Sequence, residues 1–243
     1  MIATDLLRSP CCGVELDVST PQALVCTGCR TSFAILSFGP DLMPPSAART
    51  FQTHTTWQAA QDALVAWRKR TWTGSPQAQA QVQRSVDLAE AFVAWARFTG
   101  NVLDIGCGTG WMHGLMPSAR YHGIDPIPFD QEYTFPFVRG VGDRLPFPDS
   151  VFDACCFYSS IVNAISVETS LAEAHRVLTP GGTLAIATMV YATKEPEGEQ
   201  AQHYRFLEGE LEALIAGEGL IDVTTLRYSL DHRFIRAHKK DGR

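Results

Sequence analysis

The chain has 243 residues, of which 45% are hydrophobic and 19% are charged, and its formal net charge is −6. This length and composition are typical of one large globular domain with a small addition. The acidic balance excludes a broad electrostatic attraction to nucleic acid or to an anionic membrane. No apolar run approaches the ~20 residues of a membrane span, and residues 1–10 lack the pattern of a signal peptide.

The cysteines are distributed unevenly along the chain. Four of the seven lie within the first 29 residues, and the other three fall in predicted core or turn segments of the later chain. This arrangement does not resemble an extracellular disulfide framework, so we expect a cytoplasmic protein in a reducing environment.

Residues 1–45 are predicted to form a separate unit built around the four early cysteines. Cys26-Thr27-Gly28-Cys29 is a C-x-x-C knuckle, which presents two thiolates to one tetrahedral zinc ion, and a second thiolate pair would complete the site. The stretch resembles the zinc ribbon that precedes the methyltransferase domain in some bacterial enzymes, including certain ribosomal RNA guanine methyltransferases. Its first half departs from the usual C-P-x-C-x-G-x-L pattern, because Ser9 stands where the first ligand is expected.

Three alternatives follow for this unit. A structural zinc is held by Cys11, Cys12, Cys26 and Cys29, or three cysteines and another group form the site, or the ribbon has lost its metal. In each of them the role is structural, since a segment this short buries little apolar surface without a staple.

The next stretch, 46–99, is predicted to be a helical cap. Residues 39–45 precede it as a linker, because their prolines exclude regular structure. Apolar residues then recur at helical intervals in two runs, 57–67 and 82–96, and Pro76 suits the first turn of the second helix.

A strand followed by a glycine-rich turn organises the rest of the chain. Residues 101–110 read Asn-Val-Leu-Asp-Ile-Gly-Cys-Gly-Thr-Gly, in which a short buried strand precedes three glycines at alternate positions. Such glycines let the backbone turn tightly and let a ligand lie against the peptide amides. We expect a short helix from about Gly110, ended by Pro117. The spacing resembles motif I (D/E-x-G-x-G-x-G) of class I S-adenosylmethionine-dependent methyltransferases, and it fails the dinucleotide pattern G-x-G-x-x-G at Trp111.

An acid at the end of the second predicted strand, 121–125, is the next signal. A carboxylate at this position can accept hydrogen bonds from both ribose hydroxyls of an adenosine that lies across the sheet edge. The resemblance implies that Asp125 takes the family's motif II role. Three prolines between 126 and 136 disfavour a regular helix, so 126–133 is predicted to be an irregular crossover before a strand at 135–139.

Further stretches resemble the same family. Residues 142–153 are similar to its G-D-A-x-x-L-P-F-x-D-x-x-F-D signature, which implies that Asp143 accepts a hydrogen bond from the adenine amino group and that Leu145 packs near the ring. A fourth strand is predicted at 152–158. Residues 171–186 are similar to the E-x-x-R-V-L-x-P-G-G-x-L-x-I signature, a helix, a turn and a strand, in which Arg176 is expected to anchor the helix. A helix at 206–215 and an antiparallel strand pair, 221–228 with 234–238, complete the pattern.

Together these elements predict an α/β fold. Strands and helices alternate from Val102 onward, which implies a parallel sheet with helices on both faces. The resemblance covers roughly residues 100–240 and implies a doubly wound, mostly parallel seven-stranded Rossmann-like sheet. The predicted organisation is therefore a zinc-ribbon-like unit at 1–45, a helical cap at 46–99 and a class I methyltransferase domain at 100–243.

The resemblance also implies S-adenosylmethionine as cofactor and methyl transfer as the reaction. The residues expected to bind the cofactor are Asp104, Gly106, Cys107, Gly108, Gly110, Trp111, Asp125, Pro126, Gly142, Asp143, Arg144, Leu145 and Phe157. Those expected to face the methyl acceptor are Tyr158, Ser159, Asn163, His203 and Tyr204. No residue is identified as a general base, so the catalytic group is left unassigned.

The methyl acceptor is left open between a small molecule, such as a secondary-metabolite intermediate, and RNA. The acidic charge balance and the enclosing N-terminal helices favour the small molecule. The zinc ribbon alone supports RNA, which would require a basic face around the pocket. A non-catalytic S-adenosylmethionine-binding protein is a third alternative, and the sequence does not indicate the oligomeric state.

Overall fold

The structure is a computed structural model and describes residues 6–45, 59, 62–63, 65–66, 76–127, 132–194 and 203–242. The apolar positions of the first helix predicted in the cap, Trp57, Ala60, Leu64 and Trp67, lie outside these residues. Within the described part of the chain, no helix combines the length and the apolar character needed to cross a membrane.

The N-terminal unit is a small antiparallel sheet in the order β1-β2-β3-β4. Its strands are β1 Leu16–Thr20, β2 Ala23–Cys26, β3 Ser32–Leu36 and β4 Gly39–Pro40. Its apolar side chains do not form a separate core, because they pack into the same buried cluster as the strands of the large domain; they include Leu7, Leu24, Phe33 and Leu42.

The linker predicted at 39–45 is wrong in its first half. Gly39 and Pro40 pair with Leu36 and Ile35, and Asp41 forms an isolated parallel bridge with Arg139 of the large domain. A proline is tolerated here because a two-residue edge strand does not need its missing N–H. The segment therefore fastens the N-terminal unit to the large sheet.

The large domain is built on a seven-stranded sheet. Its strands are β5 Gly100–Ile105, β6 Ala119–Asp125, β7 Phe137–Arg139, β8 Phe152–Tyr158, β9 Leu178–Met189, β10 Leu220–Arg227 and β11 His232–Lys239. The order is β10-β11-β9-β8-β5-β6-β7, with β11 antiparallel to both neighbours and β5 to β9 parallel. This confirms the predicted fold class. The strand order reverses beside β5, where ligands of such sheets bind at the carboxyl ends of the strands.

Helices cover the faces of this sheet. Those with described bounds are α1 Pro76–Ala96, α2 Val167–Val177 and α3 Glu210–Gly217. Helix α1 begins at the predicted proline and packs Phe92 against Phe234 and Tyr158, at ring-centroid distances of 5.3 and 6.0 Å. Phe92 is fully buried, so helix α1 covers one face of the sheet at β8 and β11.

Local details differ from the sequence predictions. The helix expected after Gly110 is only a 3-10 turn, His113–Leu115, because Gly114 and Pro117 leave too few good helix formers for a full turn to propagate. The predicted Pro-Gly-Gly turn lies within β9 as a bulge, between the pairs Phe152–Leu178 and Ala154–Thr183. Helix α3 begins at Glu210, later than predicted. Phe206, which was expected to lie in this helix, forms an isolated parallel β-bridge with Val190.

Candidate functional site

The glycine turn, residues 106–110, is fixed to the end of β6 by its own backbone. The amide of Gly106 donates to the carbonyl of Ile124 (2.8 Å), and the amide of Gly108 donates to Oδ2 of Asp125 (2.8 Å). Oδ1 of Asp125 accepts from the amide of Ile127 (2.9 Å). The carboxylate of Asp125 is nearly buried. Through these two hydrogen bonds it links the glycine turn to the segment that follows β6.

Gly106 also has a steric role. Its φ is +78°, and a Cβ there would lie 2.4 Å from Cβ of Ser160, whose hydroxyl donates to the carbonyl of Ile105 (2.5 Å). The ends of β5 and β8 can approach this closely only because residue 106 has no side chain. Ser160 therefore occupies the space beside Gly106 on the side that faces β8.

Asp104 is the buried acid of β5. Its Oδ2 accepts from the hydroxyl of Tyr121 (2.5 Å), while Oδ1 is buried and accepts no hydrogen bond from a nitrogen or oxygen donor of the described residues. Burial raises the pKa of Asp104 to about 7, the charge of Asp125 adds to this rise, and the hydrogen bond from Tyr121 opposes it. A buried carboxylate with an unfilled acceptor is a polar group prepared for a further donor.

Asp104 should make the unliganded protein less stable as the pH rises from about 4 to about 7. The folded state holds this proton in that window, whereas an aspartate of the unfolded chain, with a pKa of about 3.9, has already lost it, so each pH unit costs up to ~1.4 kcal/mol. Urea unfolding across this range, compared between the wild type and Asp104→Asn, measures the effect. We expect the difference between the two proteins to vary with pH. Parallel profiles would show that Asp104 ionises normally.

The 142–146 segment lies beyond β7 and begins with a 3-10 turn, Gly142–Arg144. The carboxylate of Asp143 accepts from the amides of Ser166 (2.6 Å) and Ile165 (3.3 Å), just before α2. The amide of Leu145 donates to Oε2 of Glu173 (2.7 Å). Both groups expected to meet an adenine are thus also bonded to the α2 region, and Leu145 is part of the core.

Arg176 holds the residues that follow this segment. Its guanidinium pairs with Glu173 (2.7 and 2.8 Å) and Asp149 (2.8 Å), and it donates to the carbonyls of Leu145 (3.0 Å) and Phe147 (2.8 Å). The pKa of Arg176 lies above its usual range, mainly because of Glu173. Arg176 was expected to anchor its helix, and it also fixes the loop at 145–149.

The other expected cofactor residues have different surroundings. Cys107 is buried in the glycine turn, Trp111 and Pro126 are partly exposed beside it, and Arg144 is exposed. Phe157 is only 2% exposed and packs in the central core.

Three of the residues expected to face an acceptor lie together. The amides of His203 and Tyr204 donate to the carbonyl of Val162 (3.0 and 2.8 Å), beside Asn163, and the hydroxyl of Tyr204 donates to the carbonyl of Ile165 (2.9 Å). Because the amide of Ile165 bonds to Asp143, this group adjoins the 142–146 segment.

The other two, Tyr158 and Ser159, lie at the end of β8 and have different contacts. The hydroxyl of Tyr158 donates to the carbonyl of Ser85 on α1 (2.6 Å), and Ser159 is exposed with a φ of +54°. A positive φ at a serine is a strained backbone conformation of the kind that clusters at functional sites.

The large domain is similar in sequence and fold to known proteins. Residues 103–186 match the family described as "Methyltransferase domain". A structure of a methyltransferase from Thermotoga maritima, described as a possible histamine N-methyltransferase, superposes with a TM-score of 0.57 at 19% identity, covering 76% of this chain and all of that chain. Residues 103–186 are therefore similar to a methyltransferase domain, and the whole large domain shares its fold with such proteins.

Curated relatives match over shorter shares. A malonyl-[acyl-carrier protein] O-methyltransferase of Dechloromonas aromatica is 37% identical over 101 residues, 38% of this chain and 38% of that protein. A demethylmenaquinone methyltransferase of Corynebacterium urealyticum is 31% identical over 141 residues, 56% of this chain and 52% of that protein. The chain thus spans about half, or less, of the length of these relatives.

Tyr158 and Tyr204 are poor proton acceptors. Burial raises the pKa of Tyr158 well above its usual range, and burial also raises the pKa of Tyr204. Their hydroxyls both donate to backbone carbonyls, so they serve as structural donors.

The sequence analysis assigned no role to three residues that hold the site: Tyr121, Ser160 and Glu173. Tyr121 alternates with Gly123 and Asp125 on β6, so it shares a face with the acid of the second strand, and this period of two was the signal available. Ser160 carries no such local signal, because its partner lies far away in sequence. Glu173 opens the E-x-x-R signature, but its bond to the amide of Leu145, 28 residues away, leaves no mark in that pattern.

The cysteine cluster, Cys11, Cys12, Cys26 and Cys29, has a geometry compatible with a zinc ribbon. Its four Sγ atoms lie within 4.8 Å of one another, and those of Cys11 and Cys29 are 3.3 Å apart. Tetrahedral zinc with Zn–S bonds of ~2.3 Å places its sulfur atoms ~3.8 Å apart, so the donor set fits this metal. Ser9, which occupies the usual position of the first ligand, is buried with its Oγ 3.2 Å from Sγ of Cys26.

Proposed function

We propose that the protein is an S-adenosylmethionine-dependent methyltransferase. The observation that carries the proposal is the glycine turn at the reversal point of the sheet, joined through the amide of Gly108 to the acid that ends β6. This is where sheets of this class bind adenosine-containing ligands. Oδ1 of Asp104, which accepts from no nitrogen or oxygen donor of the described residues, supports the fit, since S-adenosylmethionine carries a cationic amino acid portion.

The chain would hold this cofactor at three places. Asp125 would accept from the ribose hydroxyls, the glycine turn would lie against the ligand through its amides, and the 142–146 segment would border the adenine. The bound cofactor supplies a methyl group already activated on a sulfonium. The protein's main contribution is then alignment of donor and acceptor, which can provide a large part of the rate enhancement without a general base.

We propose a small-molecule methyl acceptor. The relatives are named for malonyl-[acyl-carrier protein] and demethylmenaquinone, neither of which is a nucleic acid. The net charge of −6 also opposes binding of a phosphate backbone. Asn163, His203 and Tyr204 would line the acceptor side. Their polar groups suit the recognition of an oxygen- or nitrogen-bearing acceptor.

We also propose that the cysteine cluster binds one structural zinc ion through all four cysteines. The support is the mutual distance of the sulfur atoms and the thiolate character of the donor set. A metal would connect the 9–14 turn to the knuckle at 26–29, which lie in different parts of the small sheet. Such a staple is what a unit of this size needs.

Titration with S-adenosylhomocysteine tests the proposed function. Isothermal calorimetry of the purified protein should show saturable binding with one site per chain, because the product keeps the ribose, adenine and amino acid groups that the site would contact. NADH at the same concentrations should not bind, since the turn lacks the dinucleotide pattern. Absence of S-adenosylhomocysteine binding at millimolar concentration, or tighter binding of NADH, would overturn the proposal.

A further inference from the structure

The N-terminal unit contacts the segment that follows β6. The amide of Leu42 donates to the carbonyl of Arg139 (2.9 Å), and Oδ2 of Asp41 pairs with the guanidinium of Arg139 (2.8 Å). Nε of Arg139 donates to the carbonyl of Pro126 (3.1 Å), the residue directly after Asp125. One arginine thus connects the small unit to the ribose end of the proposed cofactor site.

A second set of contacts joins the cysteine cluster to the 142–146 segment. Nε of Arg144 donates to the carbonyl of Pro10 (3.1 Å), and the amide of Arg8 donates to the carbonyl of Pro146 (2.9 Å). Pro10 immediately precedes Cys11. Residues 8–10 therefore contact the segment expected to border the adenine and lead directly into the cysteine cluster.

The position of Pro10 depends on the groups around the cysteines. Ser9 is 1% exposed, its Oγ accepts from the amide of Cys12 (3.3 Å), and the same oxygen lies beside Sγ of Cys26. The amide of Cys29 in turn donates to Sγ of Cys26 (3.4 Å). No disulfide joins the cysteines of the described residues, and thiols are weak hydrogen-bond donors. In such small metal units the binding energy of the metal is folding energy of the unit.

We infer that the metal state of the cysteine cluster controls the affinity of the cofactor site, through the contact between Arg144 and the Pro10 carbonyl. This inference rests on the proposed function. A bound metal fixes the 9–14 turn, which places the carbonyl of Pro10, which in turn orients Arg144 and the 142–146 segment. Since coupling between two binding sites is reciprocal, the bound cofactor must retain the metal more strongly by the same factor.

The test compares the wild type with Arg144→Met, each in a zinc-loaded and a chelator-treated form under reducing conditions. Metal content is measured by mass spectrometry, and S-adenosylhomocysteine affinity by calorimetry. We expect zinc removal to weaken binding by the wild type about tenfold, within the usual range of coupling between sites. Loaded Arg144→Met should keep its zinc and bind more weakly, and its remaining affinity should change little when zinc is removed. Arg84→Met, the same change at an exposed position of α1, should behave as the wild type.

The rate of zinc transfer to a coloured chelator gives a readout that does not depend on catalysis. S-adenosylhomocysteine should slow this transfer in the wild type and in Arg84→Met, and it should have little effect in Arg144→Met. A direct contact between Arg144 and the cofactor would lower affinity in that variant without removing its response to metal.

The outcomes separate the two proposals. If loaded wild-type protein does not bind S-adenosylhomocysteine, the proposed function fails and the inference fails with it. If it binds equally with and without zinc, or if Arg144→Met retains its zinc and the affinity of the wild type, the inference alone is overturned. The second comparison uses loaded protein only, so it remains decisive even if zinc removal unfolds the small unit.

Discussion

Gly110→Ala is expected to lower the free energy of unfolding by about 3 kcal/mol or more and to abolish cofactor binding. Gly110 has a φ of +77°, a conformation that costs an alanine ~1–2 kcal/mol. Its new Cβ would also lie 2.1 Å from Cε1 of Phe135. That ring cannot withdraw easily, because it is 8% exposed and packs against Tyr121, Tyr133 and His113 at centroid distances of 4.8 to 5.4 Å. Overpacking of this kind adds ~1–3 kcal/mol.

Gly114→Ala is the matched control for this substitution. Gly114 is exposed, its φ is not positive, and a Cβ there meets no atom within 4 Å. We expect the alanine to leave stability unchanged or to raise it by up to ~1 kcal/mol, since it restricts the unfolded chain. Chemical denaturation of both variants provides the measurement. Equal midpoints for Gly110→Ala and the wild type would contradict the packing described for the glycine turn.

Phe135→Leu divides the effect of Gly110→Ala into its two parts. A smaller side chain at residue 135 removes most of the steric conflict but leaves the strained backbone at residue 110. The double variant should therefore lose less stability than the sum of the single changes, because residues in contact are not additive. If the two losses of stability are additive, the cost of Gly110→Ala comes from the backbone conformation of residue 110 alone.

The sequence was most informative where the signal was local. Strand β8 has the bounds that its apolar run predicts, Phe152–Tyr158, because a buried parallel strand is a continuous apolar segment between turn residues. Asp125 was predicted to end its strand, and it does. The family signature also placed α2 directly before β9, and the strand follows the helix without an intervening residue.

The sequence was least informative where the partner is distant. Asp143 and Leu145 belong to a recognisable signature, yet their hydrogen bonds go to Ser166 and Glu173, which lie more than twenty residues away. The attachment of the N-terminal unit was missed for the same reason, since Asp41 and Arg139 lie 98 residues apart in sequence. Long-range pairs of this kind are set by the fold as a whole and leave no periodicity in either segment.

Asp125→Asn is expected to weaken S-adenosylhomocysteine binding about a hundredfold, which corresponds to ~2.7 kcal/mol. Hydrogen bonds from ribose hydroxyls to a charged acceptor contribute ~1.5–3 kcal/mol, and the amide gives up both the charge and one acceptor. The substitution also disturbs the protein itself. Both carboxylate oxygens already accept from backbone amides, those of Gly108 and Ile127, so an asparagine can satisfy only one of them.

The stability cost and the binding cost of Asp125→Asn can be separated. An unsatisfied buried amide costs ~1–3 kcal/mol, so the melting temperature should fall, but the protein should stay folded at room temperature, where calorimetry measures affinity. Asp17→Asn removes the same charge from an exposed position on β1 and should change neither quantity. A stability loss with full retention of affinity would limit Asp125 to holding the glycine turn. A loss of affinity far larger than the loss of stability is the result that places this carboxylate on the ribose, because only a direct contact adds a binding term that the unliganded fold does not contain.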